Sequence, residues 1–439
     1  MKNNFHSVGI GPSEILLPGN NSDYSKWAVV ACDQFTSQPE YWHEVEEFIG
    51  GSPSTYNLIL PEAFLETKKG LEHSDKINSF MNDYINSGFF KSVKGMILIE
   101  RSFDRNTRKG LITCLDLELY DYSAGSQSLI RATEGTIVNR LPPRIKIRQK
   151  AFLEIPHILV LIDDPNHTVI EPIADKTDAL DLLYDFELMQ GSGHIKGFHV
   201  NSGNLEREII NALENLKSPQ IQSKKYNIKE ITPPLLFAVG DGNHSLATAK
   251  AVWEKTKSGL PEDHPARYAL VEIGNLHDPG IIFEPIHRLL IGAPHDLTQS
   301  LKNYFNQEIS ISEVPDFETL KTAVSGNKST RQIFGFMTTS GFFVIALENP
   351  GHTLTVGSIQ NWVNELLKEK IVDTVDYIHG DETILALGTS KNNAGIYLQA
   401  MQKDSLFKSV INDGALPRKT FSMGEAHQKR FYLECRRIK

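Results

Sequence analysis

Mixed α/β layering is the fold class that this sequence predicts, and three observations carry it. Apolar runs of strand length, as at 158–162 and 235–239, alternate along the chain with stretches whose apolar residues recur at helical spacing. Hydrophobic residues fill 40% of the 439 positions, enough for a buried core, and the length predicts roughly two to three domains. No internal repeat and no low-complexity tract interrupts the alternation.

Composition narrows the function classes. Lys and Arg total 45 against 54 Asp and Glu, a net charge of −9, which argues against a protein working on nucleic acid or an anionic membrane. Cys32, Cys114 and Cys435 lie far apart with no CxxC pair, so the expectation is a reducing cytoplasm without a disulfide framework or structural zinc. The longest apolar runs fall far short of the ~20 residues that span a bilayer. The N-terminus lacks the apolar run of a signal peptide, so a soluble, cytoplasmic protein is expected.

The elements read as follows. Residues 27–31 form a short strand running into Cys32-Asp33. Ser37 and Glu40 make a capping box around Pro39, Trp42, Val45, Phe48 and Ile49 follow at helical spacing, and Gly50-Gly51 ends the helix. Segments 95–100 and 111–120 pair as strands across the turn-rich 104–107. A buried strand at 158–162 precedes a helix at 177–189 and a hairpin turn at Gly191-Ser192-Gly193-His194. Residues 204–216 are helical and 217–229 a polar connection. Then come a strand at 235–239, a tight turn at Gly240-Asp241-Gly242-Asn243, and a helix at 244–257 with Leu246, Ala249 and Trp253 on one face. Beyond, 295–355 alternates helix and strand patterns, 358–370 is a helix, and a strand at 431–435 closes the chain.

That strand–turn–helix is the best candidate for chemistry. Gly240 and Gly242 let the backbone turn sharply and approach a ligand, and the free N–H groups of the following helix favour an anion such as phosphate. Asp241 is a candidate Mg²⁺ ligand or base, and His244 a candidate hydrogen-bond donor to phosphate or proton carrier. The same residues also make an ordinary turn with Asn243 as a helix N-cap. The stretch is neither GxGxxG nor GxxxxGK[ST], so dinucleotide and P-loop assignments fail.

The second candidate is basic. Residues 131–150 hold Arg131, Arg140, Arg144, Lys146, Arg148 and Lys150 against the single acid Glu134, net +5 within an acidic chain. Arg131, Thr133 and Glu134 place a cation, a hydroxyl and a carboxylate together, and Arg140, Arg144 and Arg148 are candidate forks for phosphate. A solvated basic face explains the charge run equally well, and Pro142-Pro143 argues for a shaped loop. His287-Arg288 closes a buried-type strand, where a structural histidine is the plainer reading. Lys419 is a candidate phosphate contact. So is the group Lys429, Arg430, Arg436, Arg437 and Lys439, which an exposed tail explains too. No HExxH, GxSxG or tight His/Cys cluster is present, and Cys32 beside Asp33 reads first as a core residue.

Four ordered motifs, Val239-Gly-Asp-Gly-Asn-His-Ser245, Phe283-Glu-Pro-Ile-His-Arg-Leu289, Val375-Asp-Tyr-Ile-His379 and Leu416-Pro-Arg-Lys-Thr420, resemble the bacterial and archaeal domain of unknown function 1015 family. Arg131-Ala-Thr-Glu134 and Leu161-Ile-Asp-Asp-Pro165 also fall where that family has similar segments, so the resemblance covers nearly the whole chain. The family turn is usually Asp-Gly-His-His-Arg; Asn243 stands in place of the first His and Ser245 in place of the Arg, which removes a cation from the anion site. The turn in turn resembles that of the ParB and sulfiredoxin superfamily, one branch of which phosphorylates free serine.

The resemblance implies a ParB/sulfiredoxin-like core with large insertions and a further small α/β subdomain. The expected division is a core over 1–294 that includes 240–245, a small α/β subdomain over 295–356, and a segment over 357–439 packing back on the core. The implied activity is nucleotide-dependent phosphotransfer, from ATP or ADP with Mg²⁺, to a small hydroxyl metabolite such as free serine. In it, Glu134 takes the hydroxyl proton, with Asp33 second. Asp241 holds the metal beside His244, while Gly240, Gly242, Asn243, Ser245, Arg131, Thr133, Arg140, Arg144, His287, Arg288 and Lys419 contact the nucleotide. The alternative is a non-catalytic protein that binds a nucleotide or phosphometabolite in the same pocket; a DNA-binding relative of ParB is disfavoured by the acidic balance.

Overall fold

Residues 1–281 together with 424–439 form one unit of this computed structural model, and 282–423 form a second, inserted between them. The residues described are 5–11, 13–36, 38–65, 67–123, 125–135, 141–228, 233–294, 296–306, 308–327 and 331–439. The division differs from the expected boundaries at 294 and 356 because sheet pairing decides it. Among the described residues one six-stranded antiparallel sheet joins His287–Ile291, Ile309–Val314, Gln332–Thr338, Gly341–Leu347, Thr374–Ile378 and Asn393–Tyr397, so the strands within 295–356 also pair outside that span. The α/β class is the one expected.

The first unit is built on a mixed sheet. Among the described residues its strands run in the order Asp181–Glu187, His194–Val200, Met96–Phe103, Asn106–Asp116, Tyr268–Asn275, Leu159–Ile162, Phe237–Asp241, Ile130–Ala132 and Tyr120–Asp121, with Ile10–Gly11 also on Asn106–Asp116. Successive strand residues point to opposite faces, and both faces are covered. Ile97, Ile99, Ile112 and Cys114 pack with Trp27, Trp42, Ile77 and Phe431, whereas Met96, Leu98, Leu111 and Leu115 pack with Ile209, Leu213, Leu246 and Trp253.

Several expected elements change. Of residues 177–189 only Thr177–Ala179 is helical, a single 3₁₀ turn: Asp181–Glu187 is a strand paired with His194–Val200 across the predicted hairpin turn, and Tyr184 turns into the core. Gly193 is required there, at φ +90, since a Cβ would lie 2.2 Å from the Ser102 carbonyl oxygen. The polar connection at 217–229 contains the helix Pro219–Tyr226, started by proline at its first turn. Pro142 likewise opens a helix, Leu141–Arg148, where a loop was expected. The helix Pro39–Ile49 has Gln38 as its cap residue, with no side-chain cap bond, and Ser37 lies outside the described residues. Its end at Gly50, in the left-handed region, is as read.

The C-terminal segment is the main departure from an exposed tail. Phe431–Tyr432 pairs with Val29–Val30, Arg436–Arg437 pairs with Leu153–Glu154, and Trp27 Nε1 donates to the Leu433 carbonyl at 2.8 Å. Arg430 lies between Glu272 (3.1 Å) and Glu434 (2.7 Å), and Arg436 reaches Glu154 at 2.8 Å. All five of these charged side chains are buried. Among the described residues no helix is long and apolar enough to cross a membrane.

Glu154 also takes Arg148 (2.6 Å) and the Leu270 N–H (2.8 Å). Glu154→Ala leaves the buried Arg436 guanidinium without its carboxylate, an expected loss of about 3–5 kcal/mol. A lowered urea midpoint for the first unit is the check, and an unchanged midpoint contradicts the assignment.

Candidate functional site

The strand Phe237–Asp241 lies between Leu159–Ile162 and the parallel Ile130–Ala132 and ends at Asp241. Gly242 follows at φ +78, where a Cβ would come within 3.0 Å of Ile158 Cα, so the turn needs glycine. The helix Asn243–Thr256 starts at once, and its first i→i+4 bond runs from Leu246 N to the Gly242 carbonyl. The amides of Asn243, His244 and Ser245 lie in the first turn, ahead of that bond, and form the helix's anion-favouring end. Asn243 is not the N-cap; Gly242 is, without a side chain. Asn243 instead directs Nδ2 at the Val239 carbonyl (3.5 Å), and its buried Oδ1 has no hydrogen-bond partner among the described residues.

Around Asp241 the fold assembles a cluster of ionisable groups. Asp241 Oδ1 accepts from the Gly242 N–H at 2.8 Å, and Oδ2 lies 3.2 Å from Lys429 Nζ. Burial raises the pKa of this carboxyl, but Lys429, then His157 and the Gly242 amide, bring it below the usual carboxylate range. Lys429 arrives on the returning C-terminal segment, where Ala31 N donates to the Arg430 carbonyl at 3.1 Å. The same pairing sets the Cys32-Asp33 loop beside it. Phe35, at φ +52, stacks on Tyr41 with ring centroids 3.7 Å apart and fixes that loop's far side.

His157 joins the two halves of the cluster. Its Nδ1 lies 2.8 Å from Tyr432 Oη, and its Nε2 lies 3.9 Å from Asp33 Oδ2. Tyr432 Oη also donates to Cys32 Sγ at 3.0 Å. Burial first, and the neighbouring Asp33 next, push the Cys32 thiol up to about 12, so it stays protonated and is no nucleophile near neutral pH. Arg144 pairs with Glu62, whose backbone N–H donates to the Cys32 carbonyl at 2.8 Å. The helix that carries Arg144, Leu141–Arg148, packs on Asn243–Thr256.

The predicted residues divide into three groups. Asp33, Arg144, Gly240, Asp241, Gly242, Asn243, His244 and Ser245 come together in the first unit. Thr133 donates to the Val239 carbonyl at 2.5 Å, and Glu134 stands two residues past the paired Ala132, as Asp241 stands two past Val239. Arg131, on the same strand, is buried, and its guanidinium donates to the Ser128 (2.8 Å) and Pro233 (3.0 Å) carbonyls, where it ties down backbone. Arg140 lies outside the described residues.

His287, Arg288 and Lys419 belong to the second unit. His287 is fully buried, accepts at Nδ1 from the Leu398 N–H (3.1 Å), and stacks on Tyr397 at 4.4 Å. Burial drives its pKa down to about 4, so it sits in the core as a neutral ring. Arg288 donates to the carbonyls of Ile286 (2.6 Å), Lys419 (2.8 Å) and Arg418 (3.2 Å). His157 and Tyr432 escaped the sequence reading: each is a single polar residue at the end of an apolar run, with no motif around it. Lys429 was visible only as one member of a basic group.

The fold and this cluster define a two-unit α/β protein whose candidate site is a partly buried carboxylate–lysine pair at a strand–glycine–helix junction. The chain matches the family described as "Protein of unknown function (DUF1015)" over residues 16–376 and belongs to that family. Among solved structures it is similar to a conserved hypothetical protein from Pyrococcus furiosus, at 12% identity and TM-score 0.35, covering 73% of this chain and 90% of that one. It is similar to a mutant free serine kinase in complex with ADP, at 10% identity and TM-score 0.40, covering 77% and 95%. A third likeness is to SbnI from Staphylococcus aureus with a C-terminal truncation, at 9% identity and TM-score 0.34, covering 71% and 82%. No curated protein matches the chain.

Two pH effects follow. Lys429→Met removes the strongest of the interactions that hold the Asp241 carboxyl below the unfolded ~3.9, so the stability that this pairing contributes is present above that value and lost as pH falls below it. The melting-temperature deficit of Lys429→Met relative to wild type is therefore expected to be full at pH 6 and to shrink below about pH 4; a deficit that stays the same down to pH 3 contradicts the pairing. His287 behaves as a base with a depressed folded pKa, so its contribution is complete above ~6.5 and lost as pH falls toward about 4. Between pH 7 and 5.5 the wild-type chain should lose more stability than His287→Gln does.

Proposed function

We propose that this protein is a nucleotide-dependent phosphotransferase acting on a small hydroxyl metabolite such as free serine, with its site at the Asp241–Lys429 pair. The observation that carries the reading is the meeting of an open helix N-terminus, a lysine, and two carboxylates, Asp241 and Asp33, at the end of one strand. Phosphoryl transfer asks a protein mainly for positioning and for neutralisation of phosphate charge. The amides of 243–245 take phosphate oxygens, Lys429 balances their charge, and Arg144 is the nearby cation that compensates for Ser245 in the family's arginine position. The orphaned Asn243 Oδ1 accepts from a ligand hydroxyl or amine.

Among the described residues no three His, Cys, Asp or Glu side chains are placed to hold a metal ion. One carboxylate, Asp241, still suits Mg²⁺ that arrives on a nucleotide, since that ion keeps its waters and takes few protein ligands. Bound there, it supplies charge neutralisation at the phosphates. The acceptor hydroxyl oxygen forms the new O–P bond as the bond to the departing nucleotide phosphate breaks, and the hydroxyl proton passes to a carboxylate. Asp33 and Glu134 are the candidates, and the approach of His157 to Asp33 favours Asp33 as the base. The burial of Lys429 against Asp241 favours a second reading, a binding protein without turnover, in which the pair stays closed.

A thermal-shift series with ATP, ADP, CTP and GTP, each with and without Mg²⁺ and free serine, tests the reading. A nucleotide at 100 times its Kd adds about 2.7 kcal/mol of apparent stability. The expected result is a shift with one nucleotide that disappears in Asp241→Ala, followed by phosphorylated product that falls at least 100-fold in Asp33→Asn while binding persists. Binding without product selects the non-catalytic reading. No shift with any nucleotide overturns the phosphotransferase reading and leaves the binding of a phosphometabolite.

A further inference from the structure

The second unit holds a cleft of about 400 Å³ between the helix Thr355–Lys368 and the segment 413–418, and the phosphotransferase reading makes no use of it. Its polar lining includes His352 beside Gln360, Asn361, Asn364, Tyr377, Asp413 and Arg418. We propose that this cleft is a binding site for a nucleoside monophosphate, separate from the Asp241 site and independent of the activity assigned there.

The argument starts from Arg288, which is 1% exposed and anchors one side of the cleft. A guanidinium can only donate. Arg288 Nε therefore fixes the oxygen of Gln360 toward itself at 3.2 Å, and Gln360 must present Nε2 on its other side, where it donates to Asn364 Oδ1 at 3.1 Å. That leaves the Asn364 amino group as an oriented donor with no hydrogen-bond partner among the described residues. Asn361 turns its Nδ2 to His352 Nε2 at 2.9 Å, which leaves its Oδ1 as an acceptor. A donor and an acceptor three residues apart on one exposed helix face match the mixed donor–acceptor edge of a nucleobase.

The remaining lining residues match the rest of a nucleotide. Tyr377 is half-buried, and Arg288 lies over its ring with the guanidinium carbon 4.9 Å from the centroid. The phenol is thus held as a fixed aromatic surface on which a base can stack. Arg288 also pins the carbonyls of Arg418 and Lys419, and Lys419 takes up a left-handed φ of +57. The loop is therefore held in shape with the exposed Arg418 on the cleft wall, suited to a phosphate. Asp413 Oδ2 accepts from the Thr353 N–H at 2.9 Å, and its second oxygen is an acceptor for ribose hydroxyls. The volume lies within the range of small-molecule sites.

The test uses the full chain and two readouts. Calorimetric titration with AMP, GMP, CMP and UMP is run on wild type, Asn364→Ala, Arg418→Gln and Asp241→Ala. Asn364 and Arg418 are exposed, so neither substitution threatens folding. The expectation is at least one monophosphate whose Kd rises tenfold or more in both second-unit variants and is unchanged in Asp241→Ala. Photolabelling with 8-azido-AMP should then mark peptides from 352–377 or 413–418. Unchanged affinity in Asn364→Ala and Arg418→Gln overturns the proposal, as does labelling confined to 240–245, which would leave the first-unit reading standing. Inorganic phosphate binding as tightly as any monophosphate also overturns it, because the base-reading groups would then contribute nothing.

Discussion

The first unit depends on the pairing of buried charge between its C-terminal segment and its sheet. Glu272, Glu434 and Glu154 are buried carboxylates, and each is met by an arginine from 430 or 436. Removing a charge from water costs several kcal/mol, which a hydrogen-bonded partner of opposite sign must offset. Arg108 on a central strand adds a second guanidinium to Glu272 at 3.1 Å, and Tyr184 Oη donates to Glu434 at 2.5 Å. The segment 424–439 therefore has one acceptable place, and the backbone pairing of Phe431–Tyr432 with Val29–Val30 is in register with those ion pairs.

The same docking creates the candidate site. Once Arg430 is seated, Lys429 next to it is delivered to Asp241, and Tyr432 two residues on is delivered to His157 and Cys32. The site is thus built from the end of a central strand, the start of a helix and a strand supplied from the far end of the sequence. Its charges sit at the margin of the buried network, so they are held by it without being consumed in it. Asp241 remains more than a quarter exposed, whereas Glu272 and Glu434 are fully enclosed.

What could be read in the sequence followed from locality. Gly240-Asp241-Gly242 between an apolar run and an amphipathic run declares a strand, a sharp turn and a helix, because glycine at positive φ and helical spacing are local signals. The segment 181–187 failed for the opposite reason. Its alternation is imperfect, and the strand is decided by pairing with His194–Val200 across a glycine turn. The Lys429–Asp241 contact has no local signal at all, since nothing near either residue names the other. The basic run at 131–150 reads as one patch in the sequence, whereas the fold divides its charges among a backbone-tying Arg131, ion pairs of Arg144 and Arg148 with Glu62 and Glu154, and a helix surface.

The insertion of 282–423 raises a folding problem that the structure answers at the neck. The strands Tyr268–Asn275 and Phe431–Tyr432 belong to one unit, yet the whole second unit is threaded between them. Closing a long flexible loop costs entropy that grows with the logarithm of its length. Here the loop ends are joined to each other: Phe283–Pro285 pairs antiparallel with Phe421–Met423, and the rings of Phe283 and Phe421 meet at 4.4 Å. A second unit that folds with its own two ends clamped behaves, for the first unit, as a short connection. The C-terminal segment is then released close to where the chain left, and the Arg430 and Lys429 pairings form across a nearly closed loop.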